Sequence, residues 1–185
     1  MAEVGDTITN PAARMRMRVT QTAETSRGEL LELEATYEPG SVEPLEHYHP
    51  DQDEHFEVRQ GKVRVRMNGD ERDLEAGQTL DVPRGTVHAM WNPADAPATV
   101  IWQTRPALRT ADFLELVGRL AEEGELDSSG VSNPLKGAAL MHEYRDVFRP
   151  AAPPHVIQTL AFPALAILAR ALGQDPTRPS PTASP

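Results

Sequence analysis

The chain has 185 residues, a formal net charge of -10 at pH 7 and no cysteine. That length allows one ordinary domain with its own core plus a smaller appendage, and a negative surface of that size repels nucleic acid and anionic membranes as partners. The lack of cysteine removes disulfides, thiolate ligands, iron–sulfur clusters and cysteine nucleophiles, so any chemistry rests on oxygen and nitrogen groups.

In chain order, the opening MAEVGDTITNPAA has neither a basic start with an apolar stretch nor an export cleavage site. Residues 1–12 read as an N-terminal arm, and a cytoplasmic location is the expectation. From Met15 to Trp102 the dominant signal is alternation. In KVRVRMNGDERDL, Val63, Val65 and Met67 point one way and Lys62, Arg64 and Arg66 the other, as in a half-buried strand. Asn68-Gly69 then marks a type I′ hairpin turn, which needs positive φ at both central residues. Similar strands separated by short Gly and Pro turns predict an antiparallel sandwich or barrel over residues 13–106. Arg14, Arg16 and Arg18 read as the outer face of an edge strand.

After Pro106 the period becomes helical, and residues 107–173 read as C-terminal helices. Phe113, Leu116, Val117, Leu120 and Ala121 form one apolar face behind Thr110 as N-cap, with Gly124 as the stop. Asn133-Pro134 opens a second helix reaching about Phe148. A third runs from about His155 to Gly173, kinked or split at Pro163. It is apolar on nearly all sides, but Gln158, Pro163 and Arg170 leave too short a run to span a membrane. Burial against the barrel or a second copy is expected, which makes a homodimer the expected assembly. Residues 174–185, rich in Pro, Ser and Thr, read as a disordered tail. His142 and His155 are ordinary helix residues.

The chemistry concentrates in EHYHPDQDEHF, Glu46 to Phe56, and in GQTLDVPRGTVHAMWN further on. Gly40, His47, His49, Glu54 and Gly61 are followed by Gly77, Pro83, Gly85, His88 and Asn92. This two-part spacing resembles the paired motifs of the cupin superfamily, with one extra residue between Gly40 and His47. The resemblance covers about Met15 to Trp102. It implies a double-stranded β-helix (cupin jelly-roll barrel) with His47, His49, Glu54 and His88 as metal ligands; with the helices read from periodicity, which lie outside the resemblance, the expected fold is mainly β with a C-terminal helical appendage.

The residues agree with that implication. His47 and His49 are two apart and leave one face of a strand. Pro50 to Asp53 makes a turn, and on the returning strand Glu54 shares a face with Phe56 and Val58, so His55 points outward. His88 shares parity with Met90. Three imidazoles and a carboxylate buried together without a cation would leave polar groups unpaired. The set suits Fe(II), Mn(II), Ni(II), Co(II) or Zn(II), and octahedral coordination would leave two adjacent open positions. Asp51 and Asp53 read as solvated turn residues. Phe56, Met67, Met90 and Trp102 are expected to wall a pocket for a small-molecule substrate. The expected activity is a mononuclear, dioxygenase-like oxidoreductase with Glu54 available as a base. The alternatives are a non-redox isomerase, cyclase or lyase, and a non-catalytic small-ligand sensor.

Overall fold

The computed structural model describes residues 2–127 and 130–177. The strands β1 (Thr7–Asn10), β2 (Met15–Gln21), β3 (Leu31–Tyr37), β4 (His47–Tyr48), β5 (Asp53–Gln60), β6 (Lys62–Met67), β7 (Asp70–Glu75), β8 (Thr79–Val82), β9 (His88–Trp91) and β10 (Ala98–Arg105) come first. They are followed by α1 (Thr110–Glu122), the short pair β11 (Leu126–Asp127) and β12 (Gly130–Val131), α2 (Pro134–Glu143), β13 (Arg149–Pro150) and α3 (His155–Ala171). Two antiparallel sheets face each other, one in the order β1-β2-β3-β10-β5-β8 and the other β13-β4-β9-β6-β7.

The alternation read in the sequence sets which side chains meet between the sheets. Leu33, Ala35, Val58, Val63, Val65 and Val100 are fully buried, each large one contributing about 1.5–3 kcal/mol relative to exposure. Asn68 and Gly69 have φ of 51° and 90°, and the hairpin pairs Met67 with Asp70. Gly61 also has positive φ, and a Cβ there would stand 2.5 Å from the Pro97 carbonyl oxygen. Only glycine allows that approach.

Several expectations are corrected. The arm contains a strand, because Thr7–Asn10 pairs with β2 and places Ile8 opposite Met17. β2 is therefore not at the edge, and its arginines pair across the sheet surface instead: Arg16 with Glu38 at 2.7 Å and Arg18 with Glu34 at 3.2 Å. Arg14 lies before the strand at φ 53°. The segment between β4 and β5 is a corner between the two sheets rather than a hairpin turn. Buried Gln52 fixes that corner by donating to the Pro106 carbonyl at 2.8 Å and to Thr110 Oγ1 at 2.7 Å.

That use of its hydroxyl explains why Thr110 is not the N-cap of α1. It is the first helical residue, with Arg109 at the cap position and no side-chain cap bond. Gly124 ends the helix as expected, at φ 73°. Asn133 caps α2 by accepting from the Leu135 N–H at 2.9 Å. α2 stops at Glu143, well before Phe148, because the chain beyond it turns into the barrel and Arg149–Pro150 adds a strand to β4. α3 runs continuously through Pro163. Residues 174–177, expected in the disordered tail, are held: Gln174 N–H donates to Ala169 O at 2.8 Å, and Arg119 donates to Pro176 O at 3.0 Å. Residues 178–185 of that tail lie outside the described residues.

The helices pack against the barrel. α1 lies on β1, where a Cβ on Gly118 would meet the Thr9 carbonyl oxygen at 2.5 Å. α3 packs on α2 through Ala166 and Ala169 around Ala139, and it leaves Val156, Ile157, Leu160, Ile167 and Leu168 exposed. No described helix is long and apolar enough to cross a membrane.

Candidate metal centre

His47 opens β4 and stands directly opposite His88, which opens β9. His49 follows β4 by one residue, and all three belong to the same sheet or its margin. Glu54 comes from β5 in the facing sheet. The candidate ligand atoms of the three histidines lie within 4.8 Å of one another. Glu54 Oε2 stands 2.8 Å from His88 Nε2 and 3.3 Å from His49 Nε2. The structure thus brings these four side chains to one point between the sheets. His55 faces outward and pairs with Asp81 at 2.6 Å. Asp53 is not part of the cluster either, since it binds the backbone and guanidinium of Arg84, and Asp51 is exposed.

Each imidazole is oriented through its Nδ1. His47 Nδ1 faces the Leu45 carbonyl at 2.8 Å, His88 Nδ1 the Thr86 carbonyl at 3.0 Å and His49 Nδ1 the Val147 carbonyl at 2.5 Å. A carbonyl only accepts, so each Nδ1 carries a proton, and in the neutral ring each Nε2 presents its lone pair to the centre. Trp102 Nε1–H donates to Glu54 Oε1 at 2.7 Å, which leaves Oε2 free. Neither Glu54 Oε2 nor His49 Nε2 has a hydrogen bond of acceptable geometry, although both are fully buried. Buried polar atoms without partners are costly. Convergent lone pairs with fixed Nδ1 protons are the donor set and outer support that a divalent transition metal needs, so the residues present fit such an ion.

The electrostatics point the same way. Burial raises the Glu54 carboxyl, but the neighbouring His49 and His88 imidazoles outweigh it and hold the group at about 2. His88 is lowered by burial but raised more by the Glu54 carboxylate close to its Nε2, so it ends above the usual imidazole range. His47 falls well below that range through burial and the neighbouring His88 and His49, leaving it neutral.

The centre opens into a chamber of about 330 Å³. Phe56, Met90 and Trp102 wall it on the barrel side, and Phe113, Leu140 and Phe162 on the helical side. Phe56 and Trp102 stack at 5.9 Å between centroids. Met67 does not line the chamber; it pairs with His88 at the end of β6 and packs against the core. Among the described residues no Lys or Arg lines the wall.

A family model for the cupin domain matches residues 33–104. Residues 33–104 are a cupin domain. The tetracenomycin polyketide synthase protein TcmJ of Streptomyces glaucescens is 35% identical over 89 residues, covering 48% of this chain and 53% of that protein. The match therefore spans about half the length of this curated relative. An RmlC-like cupin from Shewanella frigidimarina NCIMB 400 superimposes with a TM-score of 0.50 at 19% identity, covering 58% of this chain and 88% of that one. At that identity the likeness concerns the fold alone.

Within the cupin domain, sequence reasoning missed Tyr37. It is buried on β3 with the parity of Leu33 and Ala35, and it lines the chamber. Burial, and then the Glu54 charge, push its phenol above the usual range, so it stays protonated as a donor. Alternation marked the position as inward but gave no sign that it faces the chamber. Outside the domain, Val147 and Phe148 were missed as well. Phe148 stacks on His47 with centroids 4.4 Å apart and planes at 20°, and no motif spacing announces it.

Proposed function

We propose that the protein is a mononuclear metal-dependent enzyme, dioxygenase-like, acting on a small and largely apolar organic molecule. The observation that supports this reading is the convergence of His49 Nε2 and Glu54 Oε2, buried and without a hydrogen bond of acceptable geometry, beside His47 and His88 in an apolar chamber. His47, His49, Glu54 and His88 would hold the ion. When bound, the ion supplies open coordination positions, Lewis acidity and, for a redox-active metal, electron transfer.

The chain's own residues do the rest. Phe56 and Trp102 offer flat faces to a planar ligand, the Tyr37 phenol donates to a ligand oxygen, and the helical wall excludes water. With no cationic side chain on the wall, a ligand carrying phosphate or several carboxylates has no counter-charge there. Glu54 Oε2, ionised and close to His88 Nε2, is placed to take a proton from the ligand.

A second reading keeps the site but not the redox step: an isomerase, cyclase or lyase reaction on a polyketide-like compound. The similarity to a protein named for the tetracenomycin polyketide synthase favours it. Anaerobic reconstitution with Fe(II), followed by oxygen uptake with a panel of phenols and diketones, separates the two. Metal-dependent uptake supports oxygenation. Conversion without uptake supports the second reading, and ligand binding without conversion supports a sensor. We further propose a homodimer joined through the exposed apolar face of α3, which light scattering tests by mass.

A further inference from the structure

Two of the three carbonyls that orient the imidazoles are local, each two residues before its histidine. The third is not. His49 takes the Val147 carbonyl, which lies 98 positions away in the C-terminal region, beyond the cupin domain. The next residue, Phe148, lies flat on His47 at 4.4 Å and meets His49 edge-on at 6.2 Å and 77°. The next two, Arg149 and Pro150, pair with Tyr48 and His47 as an added strand, and Ala151 N–H donates to Glu46 O at 2.8 Å. One short segment thus touches both histidines of the first motif by carbonyl, by ring and by strand pairing.

The segment is itself fixed from both sides. Before it, Arg109 donates to the carboxylates of Glu143 at 3.0 Å and Asp146 at 2.7 Å, while Phe113 stacks on Phe148 at 5.0 Å. After it, buried Gln158 on α3 donates to the carbonyls of Pro150 at 2.8 Å and Pro153 at 2.7 Å. Helices that merely covered the barrel would need none of these bonds to the segment and its flanks.

We propose that residues 147–150 are a clamp for the metal centre, in which the Val147 carbonyl orients His49, the Phe148 ring orients His47, and the helices serve to hold that clamp in place. Phe148 is a positioning residue: it acts through His47. The inference rests on the metal-binding reading above.

The test uses the full chain and Co(II), whose visible absorption reports ligand geometry. Chelator competition should show that Phe148→Ala binds Co(II) about 10-fold or more weaker than the parent protein, the usual effect of removing an outer support, with shifted absorption bands. Phe148→Tyr, which keeps the flat ring, should restore both. Leu74→Ala, a core change on β7 away from the centre, should lower the melting temperature without altering the bands. If Phe148→Ala does not fold, Gln158→Ala releases the segment from α3 instead and should weaken Co(II) binding in the same direction. Unchanged affinity and bands in Phe148→Ala, or in Gln158→Ala if that variant stands in, overturn the clamp. A parent protein that binds no Co(II) removes the metal-binding reading itself, so the two failures are distinct.

Discussion

Glu54 Oε2 lies 2.8 Å from His88 Nε2 although the two residues come from opposite sheets. The contact closes the centre across the barrel, with Glu54 as the one anion facing three imidazoles. Replacing His49 or His88 by Ala should remove most of the bound metal while the strands, held by Leu33, Val58, Val63 and Val100, stay folded. Metal content and far-ultraviolet circular dichroism check this together. A variant that keeps full occupancy would mean that the ligands are wrongly assigned.

Protons should compete with a metal ion at the proposed site. His88 sits above the usual imidazole range in the metal-free protein, so binding must displace its proton. Apparent affinity should fall as pH drops, beginning above about 6.5 and weakening by about tenfold per pH unit while one proton is displaced. Equilibrium dialysis at about pH 8 and about pH 5 measures the difference, and equal occupancy at both would contradict it.

The metal-free protein should lose stability in acid through Glu54. Its carboxyl is lowered from 4.5 to about 2, so its contribution is present above 4.5 and lost as pH falls from there toward 2. The loss is on the order of 3 kcal/mol. His88 has the opposite sign: its contribution is fully present below 6.5 and is lost as pH rises from there through its raised folded value. Melting curves of chelator-treated protein across this range should show the acid decline, and Glu54→Gln should flatten it.

Trp102 serves the centre through one hydrogen. Trp102→Phe keeps the stack on Phe56 but removes the donor to Glu54 Oε1. The loss of a bond to a charged group should cost about 1.5–3 kcal/mol of metal-free stability. Metal affinity should drop at least about tenfold, as for other outer supports. Denaturant titration and chelator competition measure the two effects, and no change in either would show that the indole is only core.

Two helical glycines should respond to Ala with opposite signs. At Gly118 the new Cβ would meet the Thr9 carbonyl at 2.5 Å, whereas at Gly137 the nearest atom is Val131 Cβ at 3.6 Å. Gly137→Ala should stabilise by about 0.5–1 kcal/mol through helix propensity, and Gly118→Ala should destabilise by about 1–3 kcal/mol through overpacking. Urea denaturation compares them directly.

The strands and the convergence of His47, His49, Glu54 and His88 were legible because their signals are local. Alternation places Val63 and Val65 inward within a few residues, and His47, His49, Glu54 and His88 sit in two compact spacings. What was not legible depends on distant partners. The Val147 carbonyl has no side-chain signal, and its partner His49 is 98 positions away. Thr110 looks like a cap until Gln52 from the β4–β5 corner takes its hydroxyl. Arg16 and Arg18 look like an edge until Thr7–Asn10 pairs beside them. Met67 has the inward parity of Val65 yet lies off the chamber wall. Parity gives the face of a strand, not how far along it the cavity extends.

The central claim is that His47, His49, Glu54 and His88 together hold a single metal ion. Elemental analysis of protein purified without chelator tests it most directly, with a sample reloaded in excess divalent metal beside it and the His49→Ala variant treated identically. The account predicts about one transition-metal ion per chain in the parent protein and little in the variant. A parent chain that remains metal-free after reloading would contradict it.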